Sequence, residues 1–380
     1  MPLTEPEPPA PSDDDPPEPS TPPPGGRSFK KLVLGLVAGA LCLFIGGAVW
    51  FWLYPDQPGP VRTVSVTVEI PAGAGLLGIK KILAQAGVIH DDFRFFLWAK
   101  LLAGRRLKAG EYAFAPGMSP RAVISLLASG KTVPHAITVV EGFNLYQTAE
   151  VIQAGGWGRQ EEFWQLVTDP GFINSFGLQA ATLEGYLFPD TYFFEKGTGL
   201  RVIVTAMVKR MVQVLDEERA KKGQRGSGSE AEKPALIPYE VLILASIIEK
   251  ETALAAERPL VAKVFLNRLR LGMKLQTDPT VIYGLAKFGA PLTKDDLDTS
   301  TPFNTYANRG LPVGPICNPG RTAIAAALNP AADDYTYFVS QNDGSHYFSK
   351  SLSEHNQAVA RYRKKREAAQ EAGEKAERDN

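Results

Sequence analysis

An uncharged apolar run from Leu32 to Tyr54 constrains this chain more than any other feature of its sequence. A helix needs roughly 20 apolar residues to cross the hydrocarbon core of a bilayer, and this run has 23. The basic residues Lys30 and Lys31 precede the run, and Asp56 follows it. Because positive charge favours the cytoplasmic side, we expect a cytoplasmic N-terminus and an extracytoplasmic location for the residues after Asp56.

A cleaved signal peptide is the alternative interpretation of this run. The apolar core of a signal peptide usually spans about 7–15 residues, which is shorter than residues 32–54. No small-residue cleavage site follows Trp50–Phe51–Trp52. These aromatic residues, together with Tyr54, are typical of a membrane–water interface. We therefore interpret residues 32–54 as a transmembrane helix that remains as an anchor.

Composition separates both ends of the chain from the regions that can fold. Residues 1–26 are rich in proline and acidic residues and almost lack apolar ones, so they cannot bury enough surface to offset the entropy of ordering. We predict a disordered cytoplasmic tail over residues 1–31. At the other end, residues 366–380 form a charged C-terminal tail that follows a solvated helix beginning near Glu354.

The first globular region is expected at residues 64–142. Alternating apolar residues predict a strand at Val64–Ile70, and helical spacing follows at Ile79–Ala86 and at Asp92–Leu102. Strand character returns at Glu111–Phe114, which completes a strand–helix–helix–strand unit. This unit has too few residues for a catalytic cleft but enough for a binding module. An adjoining α/β segment, with a strand at Ala136–Val140, fills the rest of the region.

The second globular region is expected at residues 143–365 and has mixed helical and strand character. Residues 143–220 predict mostly helix, interrupted by an aromatic loop at Glu184–Asp190. A mobile surface loop is predicted at residues 221–233, which are rich in Gly, Ser and charge. The Asn342–Asp343–Gly344 turn predicts a hairpin near the end. The fold class is therefore α+β.

Charge and metal-binding residue types exclude several classes of function. The formal net charge is zero and no segment combines clustered Lys and Arg with aromatic residues, so we predict no nucleic-acid partner. The four histidines and two cysteines lack the spacing of a zinc site. We predict neither a metal nor a cofactor.

The best candidate for chemistry is Glu251, at the end of the apolar helix Tyr239–Lys250. Helical spacing places it on the same stripe as Leu244, Ile247 and Ile248. An apolar environment and the negative end of the helix dipole both raise the pKa of a carboxyl group. A carboxylic acid that stays protonated near neutral pH is what a general acid for glycosidic cleavage requires. The alternative is an ordinary solvated or ion-paired helix-end residue, for which Arg258 and Lys263 are available partners.

Loops further along the chain favour the catalytic interpretation of this glutamate. They are dense in amide, hydroxyl and aromatic groups, which suit the polar edges and apolar faces of sugars. We therefore predict a carbohydrate cleft, and its candidate substrate-binding residues are Gln276, Thr277, Asp278, Asn304 and Tyr306, with Glu184 from the aromatic loop. Each of these could instead stabilise its own loop.

Several long motifs closely resemble the YceG-like endolytic murein transglycosylase family (MltG). The resemblance covers about residues 32–365 and leaves out the proline-rich tail and the 221–233 loop. Its motifs are Glu184-Gly-Tyr-Leu-Phe-Pro-Asp-Thr191, Ala245-Ser-Ile-Ile-Glu-Lys-Glu-Thr252, Val264-Phe-Leu-Asn-Arg-Leu269, Gly272-Met-Lys-Leu-Gln-Thr-Asp-Pro-Thr-Val-Ile-Tyr-Gly284 and Asn304-Thr-Tyr306.

The resemblance implies a specific activity and location. The family's catalytic glutamate falls on Glu251, within a domain similar to lysozyme-like lytic transglycosylases, and the strand–helix–helix–strand unit looks like a LysM-like glycan-binding module. Family members cut nascent peptidoglycan strands between N-acetylmuramic acid and N-acetylglucosamine and leave 1,6-anhydro-N-acetylmuramic ends, which terminates strand elongation. The expected location is the bacterial inner membrane, with a single span and an extracytoplasmic catalytic domain. The expected partners are glycan strands and cell-wall synthases.

Two other functions remain open at the level of sequence. A hydrolytic muramidase would use Asp278 as a second carboxylate and would leave reducing ends. A non-catalytic scaffold would bind glycan and organise the synthesis machinery without shortening the strands.

Overall fold

The computed structural model describes residues 26–104, 107–224 and 238–378. The chain divides after Thr132 into two compact units, each with its own hydrophobic core. The predicted tail at residues 1–31 lies outside this description up to residue 25, and so does most of the predicted loop at 221–233.

The first unit begins with the apolar helix α1, Gly26–Leu53, followed by a 3-10 turn at Tyr54–Asp56. Among the described residues, the stretch Lys30–Asp56 is the one helix long and apolar enough to cross a membrane, with a mean hydropathy of 2.5. Tyr54 was expected in an interfacial belt, but its side chain is buried in the core of this unit. The reason is that its ring packs under the guanidinium of Arg94, 4.3 Å from the ring centre.

The rest of the first unit has the predicted strand–helix–helix–strand order. Its elements are β1 Val66–Ile70, α2 Leu76–Gln85, α3 Phe93–Ala103, β2 Gly110–Phe114 and α4 Pro120–Ser129. The two strands pair antiparallel, with Val68 opposite Tyr112, and both of these side chains face the core. Helix α3 begins where the Asp92 carboxylate accepts the backbone N–H of Arg94 at 2.8 Å, an ordinary helix N-cap.

The second unit is mostly helical with two separate strand pairs. Its first half contains β3 Pro134–Thr138, α5 Leu145–Ala154, α6 Gln160–Val167, α7 Pro170–Asn174, β4 Thr191–Glu195 and α8 Leu200–Gln224. Its second half contains α9 Pro238–Glu251, α10 Arg258–Arg270, α11 Asp278–Gly284, α12 Lys294–Asp298, α13 Arg321–Leu328, β5 Tyr337–Ser340, β6 His346–Ser349 and α14 Leu352–Arg378.

Helix α9 lies at the centre of this unit. Nearly every residue from Val241 to Ile248 is buried, and the helix packs against α10, α11 and α13. Its one polar core side chain, Ser246, donates to the carbonyl of Ile243 and accepts the N–H of Ile316 at 3.0 Å. Because the helix is apolar and buried around its whole circumference, its position is fixed, and so is the position of the side chains at its C-terminal end.

Three local differences from the sequence expectations concern this unit. Strand β4 was not expected within the mostly helical stretch; it pairs antiparallel with β3, which begins at Pro134 rather than Ala136. Helix α11 begins at Asp278, in a segment expected to be a loop. Helix α8 continues to Gln224, so the first residues of the predicted loop are helical. The hairpin formed by β5 and β6 was predicted, and Asn342 at its turn has a positive φ of 62°.

Candidate active site

Glu251 is the last residue of α9, and its side chain is partly buried. Leu244, Ile247 and Ile248, which precede it on the same stripe of the helix, are fully buried. Glu251 therefore leaves the hydrophobic core at the point where the helix ends. This is the position that the helical spacing predicts.

Burial raises the pKa of Glu251 above the ordinary value of 4.5. The Thr277 hydroxyl opposes this shift because it donates a hydrogen bond to the Oε1 atom of Glu251 and stabilises the charged form. The negative charge of Asp278 raises the pKa further, while His346 and Arg268 lower it. The balance keeps the carboxyl protonated at a higher pH than an exposed glutamate, yet a hydrogen bond is in place for its ionised form.

Glu251 faces a cleft of about 350 Å³. Four of the residues predicted to bind substrate line this cleft with it: Gln276, Thr277, Asp278 and Tyr306. Three further residues line the cleft without having been assigned a role from the sequence: Arg268, Phe338 and His355. The lining is mainly polar, with one aromatic face from Phe338 and one from Tyr306. Such a surface suits a sugar, which has polar edges and apolar faces.

The segment before α11 is held in place by the loop that contains Thr305. The backbone N–H of Gln276 donates to the Thr305 carbonyl at 3.2 Å, and the N–H of Thr277 donates to the Thr305 hydroxyl at 3.1 Å. Gln276 has a φ of 51°, a left-handed conformation that is uncommon outside glycine. The consequence is that the Thr277 side chain is buried against Glu251 while Gln276 and Asp278 remain exposed in the cleft.

Asp278 and Tyr306 form a pair at the edge of the cleft. The Tyr306 hydroxyl donates to Asp278 Oδ1 at 2.6 Å. Burial, followed by the hydrogen bond to Asp278, raises the pKa of Tyr306, so its hydroxyl remains a donor. The hydrogen bond from Tyr306 thereby fixes the orientation of the Asp278 carboxylate.

Asn304 does not line the cleft. It is fully buried, and its amide nitrogen donates to the carbonyls of Leu297 and Thr299 at 2.9 and 2.6 Å. Its side-chain oxygen accepts the backbone N–H groups of Tyr306 and Ala307 at 2.8 and 3.1 Å. These bonds tie the loop of Asn304 to the end of α12, so Asn304 shapes the turn from which Tyr306 projects.

Glu184 is also outside the cleft lining and is buried in the interior of the second unit. Its Oε2 atom accepts the backbone N–H of Leu145, at the start of α5, at 3.0 Å and the hydroxyl of Tyr283 at 2.8 Å. Its Oε1 atom has no hydrogen-bond partner among the described residues. Burial raises the pKa of Glu184 to about 7, although the bonds from Leu145 and Tyr283 pull it down.

Helix α11 links the cleft that contains Glu251 to the buried site of Glu184. Asp278, its first residue, lies in the cleft with Glu251, and Tyr283, near its last residue, contacts Glu184. These two positions are five residue steps apart along the helix, which corresponds to a rise of roughly 7.5 Å. Glu184 thus fixes the far end of the helix whose near end forms part of the cleft.

Glu249, the other acid at the end of α9, has a structural environment. Its Oε1 accepts Arg258 Nη2 at 2.6 Å, and its Oε2 accepts the backbone N–H of Gly320, before α13, at 2.8 Å. Both side chains of this ion pair are buried. The ion-paired alternative that was considered for the helix end therefore applies to Glu249, whereas Glu251 has only a hydroxyl donor.

The unassigned cleft residues come from distant parts of the chain. Arg268 is buried, and its guanidinium donates to the carbonyls of Thr336 and Leu275 at 2.7 and 2.5 Å. His355, on α14, stacks against Tyr337 with ring centres 5.2 Å apart, and its Nδ1 is buried without a partner among the described residues. Burial lowers the pKa of His355, which favours the neutral imidazole. Nothing in the local sequence around His355 indicates that its helix closes the cleft.

Within the described ranges, no group of three or more His, Cys, Asp or Glu side chains is arranged to hold a metal ion. The cleft offers a carboxyl group with a raised pKa together with hydroxyl, guanidinium, imidazole and amide neighbours.

Comparisons with known proteins give consistent relatives. Residues 68–361 match the YceG-like family. The endolytic murein transglycosylase of Bacillus subtilis is 34% identical over 339 residues, which cover 84% of this chain and 91% of that protein. The endolytic murein transglycosylase of Streptococcus pneumoniae (strain D39) is 29% identical over 368 residues. This match covers 88% of this chain and 65% of the pneumococcal protein.

A crystal structure of a YceG-like protein from Listeria monocytogenes is similar as well. It shares 35% sequence identity with this chain and superposes with a TM-score of 0.52 over 78% of this chain and the whole of that structure. The matched residues include both α9 and the cleft segments. The chain therefore belongs to the YceG-like family.

Proposed function

We propose that this chain is an endolytic lytic transglycosylase of peptidoglycan. It cleaves the β-1,4 bond between N-acetylmuramic acid and N-acetylglucosamine in nascent strands and leaves 1,6-anhydro-N-acetylmuramic ends. The observation that carries this proposal is Glu251, a carboxyl with a raised pKa that opens into a polar cleft and accepts a hydrogen bond from Thr277. The names of the Bacillus and Streptococcus relatives support the same substrate and reaction.

In the first step, Glu251 acts as a general acid. It donates its proton to the glycosidic oxygen as the bond from that oxygen to the muramic C1 breaks, and positive charge develops at C1. The leaving N-acetylglucosamine unit departs with a free hydroxyl. The raised pKa of Glu251 supports this role because an ordinary glutamate would already be ionised near neutral pH.

In the second step, the same residue acts as a base. The Glu251 carboxylate accepts the proton of the muramic C6 hydroxyl while that oxygen forms a bond to C1 and closes the anhydro ring. The carboxyl group ends in its starting protonation state, and no water is consumed. The Thr277 hydroxyl supports the first step instead, because its hydrogen bond stabilises the carboxylate that the first proton transfer forms.

The remaining candidate residues take two kinds of role in this proposal. Gln276, Asp278 and Tyr306 bind the glycan, because they line the cleft with Glu251. Asn304 and Glu184 act from outside the cleft: one shapes the loop of Tyr306 and the other holds the end of α11.

The topology of the chain is part of the proposal. Helix α1 anchors the protein by a single span in the inner membrane, with the N-terminus in the cytoplasm and both globular regions outside. Residues 64–142 contain a LysM-like module that holds glycan, and residues 143–365 form a lysozyme-like catalytic domain. An anchored enzyme acts on strands as they leave the synthases, which are its proposed partners. The apolar helix Lys30–Asp56 and the basic residues before the apolar run support this topology.

A hydrolytic muramidase is a second candidate because Asp278 lines the same cleft as Glu251. In that reaction a water molecule would take the place of the C6 hydroxyl and Asp278 would supply the second carboxylate. The Asp278 carboxylate is exposed and accepts the Tyr306 hydroxyl, so it is held at the edge of the cleft by a neighbouring side chain. This arrangement favours a binding role for Asp278 instead.

The nature of the product ends tests the proposal. Full-length protein in detergent is incubated with uncrosslinked glycan strands, and the fragments are identified by mass spectrometry. We expect internal cuts with anhydro ends from the wild type and from Asp278→Asn. Reducing ends would establish the muramidase instead, and retention of glycan without shortening would leave only the scaffold.

A further inference from the structure

Helix α3 has an apolar face that none of the described residues of the first unit covers. Phe95, Trp98 and Ala99 point into the core and are buried. On another face, Phe93, Leu97 and Leu101 are 60%, 36% and 63% exposed. These three residues recur at intervals of four, so they form one stripe along the helix. A helix that is apolar on both faces usually has both faces covered.

The same helix is joined to the end of α1 by several contacts. Arg94 donates from Nη1 to the carbonyl of Trp50 at 3.1 Å, and its guanidinium lies 3.6 Å from the centre of the Trp50 ring. Trp98 donates from its indole N–H to the carbonyl of Phe51 at 3.0 Å, and the two rings stack 5.3 Å apart.

These bonds supply hydrogen-bond donors to the C-terminal carbonyl groups of α1. The last four carbonyl groups of a helix have no N–H partner within that helix. Trp50 and Phe51 belong to the last four residues of α1, so α3 supplies the donors that their carbonyls lack. The consequence is that α3 is fixed at the extracytoplasmic end of the proposed span.

We propose that the stripe formed by Phe93, Leu97 and Leu101 lies in the outer-leaflet interface of the membrane, with lipid as its occupant. This inference rests on the proposed anchoring by α1 and adds a second membrane contact to it. Its basis is the continuity between the two apolar surfaces: α3 is bonded to the residues at which α1 leaves the bilayer, and Trp50 and Trp52 of α1 are exposed there.

The charge on α3 also fits a lipid interface. Lys100, on the same helix, is exposed and can extend its ammonium group to headgroup phosphates. Interfacial helices of this kind place their apolar face about 5–10 Å into the boundary between headgroups and acyl chains. The stripe thereby holds the first unit against the membrane surface, in addition to the covalent tether through α1.

Lipid quenching of a fluorescent label on Leu101 tests this inference. Full-length Leu101→Cys protein, in a Cys42→Ala background, is labelled with an environment-sensitive dye and placed as single copies in nanodiscs. Cys317 is buried and is expected to take up no label, which the Cys42→Ala protein alone verifies. We expect blue-shifted emission and strong quenching by lipids brominated near the headgroup, at a depth of about 5–10 Å.

Two other label positions serve as controls. Ala113→Cys carries the dye on the exposed side of β2 and should give water-like emission without quenching. Dye on the native Cys42, within α1, should be quenched by lipids brominated deep in the acyl chains. Quenching at Cys42 without quenching at position 101 would overturn the inference and leave the anchor intact. Absence of quenching at Cys42 would overturn both.

A loss-of-contact variant gives a second readout. Phe93→Ser combined with Leu97→Ser, in the labelled Leu101→Cys protein, should reduce the quenching at position 101 while the near-ultraviolet dichroism of the core aromatic residues is unchanged. Unchanged quenching in this variant would contradict the assignment of the stripe. Cross-linking between two copies through position 101 in larger nanodiscs, in preference to lipid quenching, would assign this face to a second copy of the chain and also overturn it.

Discussion

Glu251 is partly buried and Glu184 fully buried in the same unit, and burial raises the pKa of both. They differ in access and in hydrogen-bond partners. Glu251 opens into the cleft and has a single hydroxyl donor, whereas Glu184 is sealed between the backbone of Leu145 and the hydroxyl of Tyr283. A raised pKa is therefore insufficient to identify a general acid. Access to a cleft that can hold substrate makes the difference.

The two sites are complementary parts of one arrangement. A general acid has to exchange its proton with a substrate. Its carboxyl group therefore needs access to the cleft, and its ionised form should be only weakly stabilised by neighbouring groups. Glu184 instead fixes α5 and α11, and its burial favours the neutral acid over the carboxylate. Substitutions at Glu251 and its neighbours should change cleavage, and substitution of Glu184 should change stability.

The largest expected effect is that of Glu251→Gln on strand cleavage. The amide keeps the shape of the side chain but cannot donate or accept the proton, and general acid catalysis contributes about 10²–10⁴-fold to a rate. We expect a loss of that size, measured as the rate of release of glycan fragments. Glu240→Gln, near the other end of α9, is the matched control and should cleave at the wild-type rate. Wild-type activity in Glu251→Gln would remove Glu251 from the mechanism.

The next effect is that of Glu184→Gln on the pH dependence of stability. The pKa of Glu184 is raised from 4.5 to about 7 in the folded protein, so between these values the folded state holds a proton that the unfolded state has released. Stability from this group is therefore complete below the unfolded pKa and is lost as pH rises to the folded pKa. The loss is on the order of 3 kcal/mol.

Thermal unfolding at about pH 5 and about pH 7.5 measures this loss. The wild type should unfold at a lower temperature at the higher pH, and Glu184→Gln should reduce that difference because its amide does not titrate. Glu217→Gln, which removes an exposed carboxyl whose pKa is lowered by Arg321, is the control and should keep the wild-type difference between the two pH values. An identical pH dependence in Glu184→Gln and the wild type would show that Glu184 is already ionised when folded.

A smaller effect is expected for Thr277→Val on the cleavage rate. The variant lacks the hydroxyl that stabilises the Glu251 carboxylate, so the first proton transfer, which forms that carboxylate, slows by roughly tenfold, the usual magnitude of one hydrogen bond to a charged group. The pKa of Glu251 rises further, and the fall of activity at high pH moves to higher pH. Thr277→Ser keeps a hydroxyl and should restore both rate and profile. Failure of the serine to restore them would assign the threonine to packing alone.

The smallest effect is expected for Asp278→Asn on the pH profile. Removing the negative charge of Asp278 lowers the pKa of Glu251, so the fall of activity moves to lower pH, opposite to the change for Thr277→Val. Asp278 is exposed, so solvent screening keeps this effect small. The measurement is the pH dependence of cleavage at constant ionic strength. A shift in the same direction as that of Thr277→Val would contradict this assignment of charge effects.

The sequence predicted the position of Glu251 because helical spacing is a local property. Leu244, Ile247 and Ile248 lie on the same stripe, and one turn of helix suffices to relate them to the acid. The strand–helix–helix–strand order of the first unit was also predicted, because alternation and helical spacing are both readable over a few residues.

Non-local features were not predictable in the same way. Strand β4 was missed because its pairing partner β3 lies more than fifty residues earlier, and its own burial only alternates between exposed and intermediate. His355 and Phe338 reach the cleft through the packing of α14 and of the β5–β6 hairpin, which no local pattern encodes. Asn304 and Glu184 have the residue types of a binding site, and only their hydrogen bonds reveal that they act inside the protein.

The central claim is that burial at the end of α9 keeps Glu251 protonated where exposed glutamates ionise. Infrared difference spectra between the wild type and Glu251→Gln, recorded across a pH series, measure the carboxylic acid band of this one residue. We expect the band to persist above pH 4.5, the ordinary pKa of a glutamate, and to disappear in parallel with the loss of cleavage activity. A band that is lost at or below that value would contradict it.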